Sequence, residues 1–201
     1  MNGIIRSLSY IFHPLFMPIS AVLFYFYISP RFFNTEFMYS KIFATVIMTV
    51  IIPILTFYML KNLQLVTSIH LKDVKQRKWP LALSSGFTYL LIKMIFDGYD
   101  IPEVYFFFVG ILGATAAAFL LAILKFKASL HMMGISGVIL FIIGLSIHFG
   151  TNLLIWIAIS ILACGATATS RLDAKAHTVP ELIIGFLIGS VPQLLVFTYW
   201  L

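Results

Sequence analysis

Ser170-Arg171-Leu172-Asp173-Ala174-Lys175-Ala176-His177-Thr178-Val179-Pro180-Glu181 places five ionisable side chains within a dozen positions, between two long apolar runs. Only 10% of the 201-residue chain is charged. Charge beside a bilayer is costly and is ordinarily retained for a function. The stretch therefore reads as chemistry at the point where apolar helices emerge. A solvated loop between two helices is the plainer reading of the same residues.

The flanking runs decide the fold. The chain is 61% hydrophobic, with a mean hydropathy of +1.04. A soluble chain this short cannot bury so much apolar surface, so its outer surface must be apolar too. The runs are continuous, about 17–22 residues each, without strand-like alternation, which selects helices over a barrel. The expected fold is an all-α polytopic transmembrane bundle of six or seven spans, forming one domain over 1–201 with its motif-bearing core at about 61–201.

Spans are predicted at about Leu8–Ser29, Lys41–Leu60, Pro80–Phe96, Glu103–Leu124, a run ending near His148, Leu153–Thr169 and Pro180–Leu201. The first is interrupted by His13-Pro14 and Pro18, so it is either a short interfacial turn before a span or a kinked span. Arg6 and the apolar run after it lack a small-residue cleavage site, which predicts a retained span rather than a signal peptide. Pro53 predicts a kink in the second span, while Gly110, Gly113 and Ala114–Ala118 allow close helix contact in the fourth. Cys164 is the single cysteine, so neither a disulfide nor a cysteine metal site is expected.

Parity then joins distant residues. Polar clusters lie between spans two and three, four and five, and six and seven. Two crossings separate each from the next, so all three emerge on one membrane face whether or not the first segment crosses. An active site built from three loops at that face is permitted.

In the third cluster Asp173 and Glu181 lie four residues before and after His177, within reach where the segment is helical. A carboxylate on one ring nitrogen fixes the tautomer and makes the other nitrogen a better nucleophile or base. Glu181 also completes a capping box with Thr178, and the two roles are compatible. Arg171 offers a planar fork suited to phosphate oxygens, and Ser170 adds a hydroxyl.

The second cluster sets Lys127, Ser129 and His131 at alternate positions, with Ser129 a candidate N-cap whose helix start would face an anion. The plainer reading makes Lys125 and Lys127 interfacial anchors and His131 a boundary residue. The first cluster, His70 to Pro80, is basic, and by itself reads as an interfacial loop with Trp79 as a membrane anchor. A net charge of +6 is compatible with anionic lipid heads or phosphate, and no nucleic-acid partner is expected.

Together the three clusters resemble the type 2 phosphatidic acid phosphatase superfamily of membrane lipid phosphatases, whose signature is Lys-x6-Arg-Pro, then Pro-Ser-Gly-His, then Ser-Arg-x5-His-x3-Asp. Ser170, Arg171 and His177 meet the third motif, with Glu181 where Asp is usual, and Gly185 and Gly189 look like that family's final helix. Ala128-Ser129-Leu130-His131 keeps Ser and His of the second motif and replaces Pro and Gly. For the first motif, Pro80 pairs Lys72 with Trp79, whereas anchoring on Arg77 puts His70 at the Lys position.

The resemblance implies metal-independent, cofactor-free hydrolysis of a phosphate monoester or diphosphate on a membrane lipid. His177 would be the nucleophile, Glu181 its orienter with Asp173 in reserve, and His131 the general acid and base. Arg171, Ser170, Ser129, Lys72, Arg77 and Lys127 would hold the phosphoryl oxygens. Ten of the 13 lysines and arginines fall on the site's face by these spans and three on the other. Setting aside four phosphate-binding candidates leaves six against three, which points that face to the cytoplasm. The bacterial relatives usually act on the outer face of the inner membrane, and the expectation follows them. One alternative is a family member that has lost catalysis and binds or moves phospholipid. Another is a metal-dependent hydrolase using His131, His177, Asp173 and Glu181, although no His-Glu-x-x-His pattern is present.

Overall fold

Each apolar run folds as a helix because its backbone groups must be satisfied within the run once water is excluded. The computed structural model describes residues 11–67 and 73–201, and all regular structure among these is helical. In chain order the α-helices are α1 Met17–Ile28, α2 Thr35–Val46, α3 Ile52–Asn62, α4 Lys78–Met94, α5 Pro102–Ile123, α6 Leu130–His148, α7 Leu154–Asp173 and α8 Val179–Val196. A π-helical segment, Ile47–Ile51, joins α2 to α3, so Thr35–Asn62 is one continuous helix of 28 residues. Among the described residues five helices are long and apolar enough to cross a membrane: Thr35–Asn62, α5, α6, α7 and Val179–Tyr199. The chain is a helical bundle with the hallmarks of an integral membrane protein.

The core runs along α6. Half of its most apolar window is buried, against 6% for Thr35–Asn62. α6 packs chiefly on α8, and α5 packs on α4 and α8. Gly185 and Gly189 set the closeness of α6 and α8. A Cβ at Gly189 would stand 2.2 Å from the Met133 carbonyl oxygen, and one at Gly185 would stand 2.5 Å from that of Ser129. Gly110 and Gly113 similarly admit the side chains of Gln193 and Pro192 from α8.

Several boundaries differ from the sequence expectation. α2 begins at Thr35, six residues before Lys41, because the Asn34 side chain accepts the Glu36 N–H as an N-cap. Pro53 has no N–H to donate, and the ladder adjusts through the π-helical segment just before it. α7 continues four residues beyond Thr169, so Ser170, Arg171 and Asp173 stand on its last turn rather than in a loop. α1 is a single helix of 12 residues that starts after His13-Pro14 and carries Pro18 in its first turn, about 18 Å long.

Candidate functional site

Two helix ends and two helix starts build the site. α7 stops at Lys175, whose φ of 49° lies in the left-handed region. The Lys175 N–H donates to the Leu172 carbonyl (2.9 Å) and the Ala176 N–H to that of Arg171 (3.1 Å), which closes a Schellman motif. α5 ends the same way: Lys125 has φ 64°, its N–H donates to Ala122, and that of Phe126 donates to Leu121. After each reversal comes an N-cap, Thr178 for α8 and Ser129 for α6. His177 is thereby held between the C-cap of one helix and the N-cap of the next.

The Glu181 carboxylate serves both of its predicted purposes with one oxygen. Its Oε2 accepts the Thr178 N–H at 3.0 Å and lies 2.9 Å from His177 Nδ1. The capping box is complete in both directions. Asp173 is exposed on the outside of α7, so Glu181 is the carboxylate against His177. With Nδ1–H donated to the carboxylate, the His177 Nε2 lone pair is the reactive one. The side chain is only 4% exposed. Burial first, then the Arg77 charge, outweigh the Glu181 bond and lower the His177 pKa to about 4, with Lys127 adding to the lowering. The ring is neutral at physiological pH.

The three sequence clusters meet here. The Ser129 N–H donates to the Glu181 carbonyl oxygen at 3.0 Å, tying α6 to α8. Lys127 Nζ donates to the Ala176 carbonyl (2.8 Å), and an Arg77 guanidinium nitrogen to that of Ala128 (2.8 Å). Arg77 is buried; burial, relieved by Glu181 and aggravated by Arg171, lowers its pKa to about 10, which leaves it cationic at neutral pH. Trp79 is 53% exposed, so Arg77 and not residue 79 turns into the cluster. Lys72 and His70 lie outside the described residues.

Not every predicted phosphate contact is equally placed. The Ser129 hydroxyl accepts the Met132 N–H as the N-cap of α6, and its residue is fully buried beneath Gly185. Ser170 is likewise buried, on α7. An open cleft of about 370 Å³ is lined by Lys127, Leu172, Lys175, Ala176, His177, Thr178 and Glu181. Lys175 is thus a cleft residue, although it is not among the predicted phosphate contacts. Among the described residues no three His, Cys, Asp or Glu side chains gather closely enough to hold a metal ion.

Two features had no counterpart in the sequence reading. The His13 ring stands edge-to-face against His131, with centroids 5.4 Å apart and planes at 83°. The second lies at the far end of α6. There Glu103, fully buried, receives Arg31 at 2.6 Å, His148 Nε2 at 2.9 Å and the Tyr25 hydroxyl at 3.1 Å. The one available signal for each was an ionisable side chain inside or bordering an apolar run. Comparison with family models, with curated proteins and with solved structures returned no match.

Proposed function

We propose that this chain hydrolyses a phosphate monoester or diphosphate on a membrane lipid through a phosphohistidine, in the manner of the type 2 phosphatidic acid phosphatases that its motifs resemble. The observation that carries the reading is the His177–Glu181 pair, 2.9 Å apart beside an open cleft, with a neutral ring in the field of Arg77 and Lys127. A buried histidine oriented by a carboxylate is a nucleophile prepared for an electrophile, and cations around it favour a phosphate.

In the proposed reaction His177 Nε2 attacks phosphorus, the phosphorus–oxygen bond to the lipid breaks, and His131 protonates the leaving oxygen. His131 then takes a proton from water, whose oxygen attacks phosphorus while the phosphorus–nitrogen bond breaks and phosphate departs. Arg171, Arg77 and Lys127 stabilise the charge on the transferring group. A substrate with its phosphate at the interface and its tail in the bilayer suits a cleft at the helix ends.

The reading treats the bundle as seven crossings. α1, though short, has His13 before it at the site and Arg31 after it at the Glu103 cluster. It also takes the site to face the periplasm across a bacterial inner membrane, against the basic-residue count. Labelling of Lys75→Cys by an impermeant thiol reagent in intact cells supports that orientation; protection until lysis reverses it.

The test is phosphate release from vesicles carrying phosphatidic acid, phosphatidylglycerol phosphate or a polyprenyl diphosphate. Wild type is expected to release phosphate from at least one, and His177→Ala from none. Silence of wild type across the panel, or full turnover by the variant, sinks the reading. A non-catalytic lipid-binding role draws on one observation, that Arg77 and Lys127 both donate to backbone carbonyls and so tie loops together. It predicts vesicle binding without release.

A further inference from the structure

The segment Ile11–Phe16 precedes α1 and forms a turn seated on the start of α6. The Phe16 N–H donates to the His13 carbonyl at 2.9 Å. Phe12 packs with the cluster formed by Met132, Cys164 and Leu182, from α6, α7 and α8. Gly134 on α6 accommodates Met17 so closely that a Cβ there would come within 3.0 Å of it. The turn is therefore a fixed wall, and it brings His13 to a defined place.

That place is against His131. Among the described residues, the charged or titratable groups facing His13 are His131 from α6 and Arg171 from α7, while α8 contributes the apolar Leu182 to the same packing. The Leu15 N–H approaches His13 Nδ1 at 3.3 Å. An imidazolium has no lone pair to receive it, so this contact needs the neutral ring with its proton on Nε2. Burial, and then the Arg171 charge, act in the same direction by holding His13 below the usual imidazole range.

We propose that His13 is a positioning residue: a neutral ring from the N-terminal turn that fixes His131 edge-to-face and lets it gain and lose a proton without a second cation against it. Its functional part rests on the phosphoryl-transfer reading, whereas the hold on His131 does not. Edge-to-face contact between rings is favourable and directional, and displacement of an acid–base group by about 1 Å can cost two orders of magnitude in rate.

The experiment uses the full chain in micelles with ring-labelled histidine, the His131 signal being identified by its loss in His131→Gln. The His131 titration midpoint and the pH profiles of kcat and KM are measured for wild type, His13→Ala, His13→Phe and His13→Lys. His13→Ala is expected to shift or broaden the His131 titration and to lower kcat about 10- to 100-fold with little change in KM. His13→Phe should recover most of both, and His13→Lys should move the His131 midpoint down. An unchanged His131 titration in His13→Ala, or a His13→Phe variant as impaired as the alanine, overturns the proposal. If wild type releases no phosphate from any lipid, the reaction assignment fails, and the His131 titrations still decide what His13 does.

Discussion

The two ends of α6 carry polar clusters of different electrical character. At its C-terminal end Glu103 is enclosed, and Arg31, His148 and Tyr25 converge on its carboxylate. One arginine meets one carboxylate, and the arrangement closes on itself. At the N-terminal end, about 28 Å away by helix rise, Arg77, Lys127 and Arg171 surround a single carboxylate, Glu181, beside an open cleft. The positive excess there is what an anionic ligand would neutralise. A self-satisfied cluster ties helices together, while a cluster left with net charge at an opening suits binding.

Exchange of each carboxylate for its amide separates the two most sharply. Glu181→Gln can offer an amide donor to Nδ1 and thereby favour the wrong tautomer of His177. Phosphate release should fall about 10²- to 10⁴-fold, by analogy with loss of the orienting carboxylate in hydrolytic triads, with thermal stability changed little beyond a weakened cap. A Glu181→Gln variant with near-wild-type turnover would show that the carboxylate only caps α8.

Acid provides the next contrast. The lowered His177 pKa, about 4 against an ordinary 6.5, means that the unfolded chain takes up a proton over this window before the folded one does. The stabilising contribution is complete above about pH 6.5 and is lost as pH falls towards 4. Melting temperature should therefore slope downward with acid in this range, and His177→Gln should flatten that slope. The acid limb of kcat/KM assigned to His177 should lie near pH 4 rather than 6.5. A limb at 6.5 that survives in Glu181→Gln would place the titration on another group.

At the far cluster the expected effect moves from rate to stability. Glu103→Gln leaves Arg31 and His148 without the carboxylate on which both converge. About 1–3 kcal/mol of stability should be lost, the lower figure reflecting the partial exposure of Arg31. Phosphate release by the surviving folded protein should stay within a few-fold of wild type. A loss of rate matching that of Glu181→Gln would mean that the two ends are coupled and that the comparison is wrong.

The same comparison explains what was legible in the sequence. Apolar runs announce helices, and parity brings loops to one face whatever the helices do between. His177 and Glu181 were readable together because they are four residues apart on one helix start. Glu103 was not, because Tyr25 and Arg31 stand 78 and 72 positions away, and each in isolation looks like a boundary residue. His13 was hidden for the same reason, and its adjacent proline drew attention to the backbone instead. The predicted span stops at Thr169, short of the last turn of α7, because Ser170, Arg171 and Asp173 are polar. Polarity marks where a helix meets water, whereas the helix ends where Lys175 turns left-handed.

That left-handed residue carries the smallest and most discriminating contrast. α6 ends at Gly150, with φ 60°, while α5 and α7 end at Lys125 and Lys175 on the side of the site. Glycine adopts this conformation without steric cost, and any other residue gives up about 1 kcal/mol. Nothing lies within 4 Å of a Cβ placed on Gly150, so Gly150→Ala should cost about that amount through the backbone alone. Lys175→Gly should return a similar amount, visible as a higher melting temperature. If the lysine is present only as loop surface, the glycine variant will be a more stable protein with unchanged kinetics. Because Lys175 lines the cleft, the expected outcome is instead a more stable protein with a raised KM for the lipid phosphate and a nearly constant kcat. That combination would identify a strained helix end kept for the ammonium group it carries.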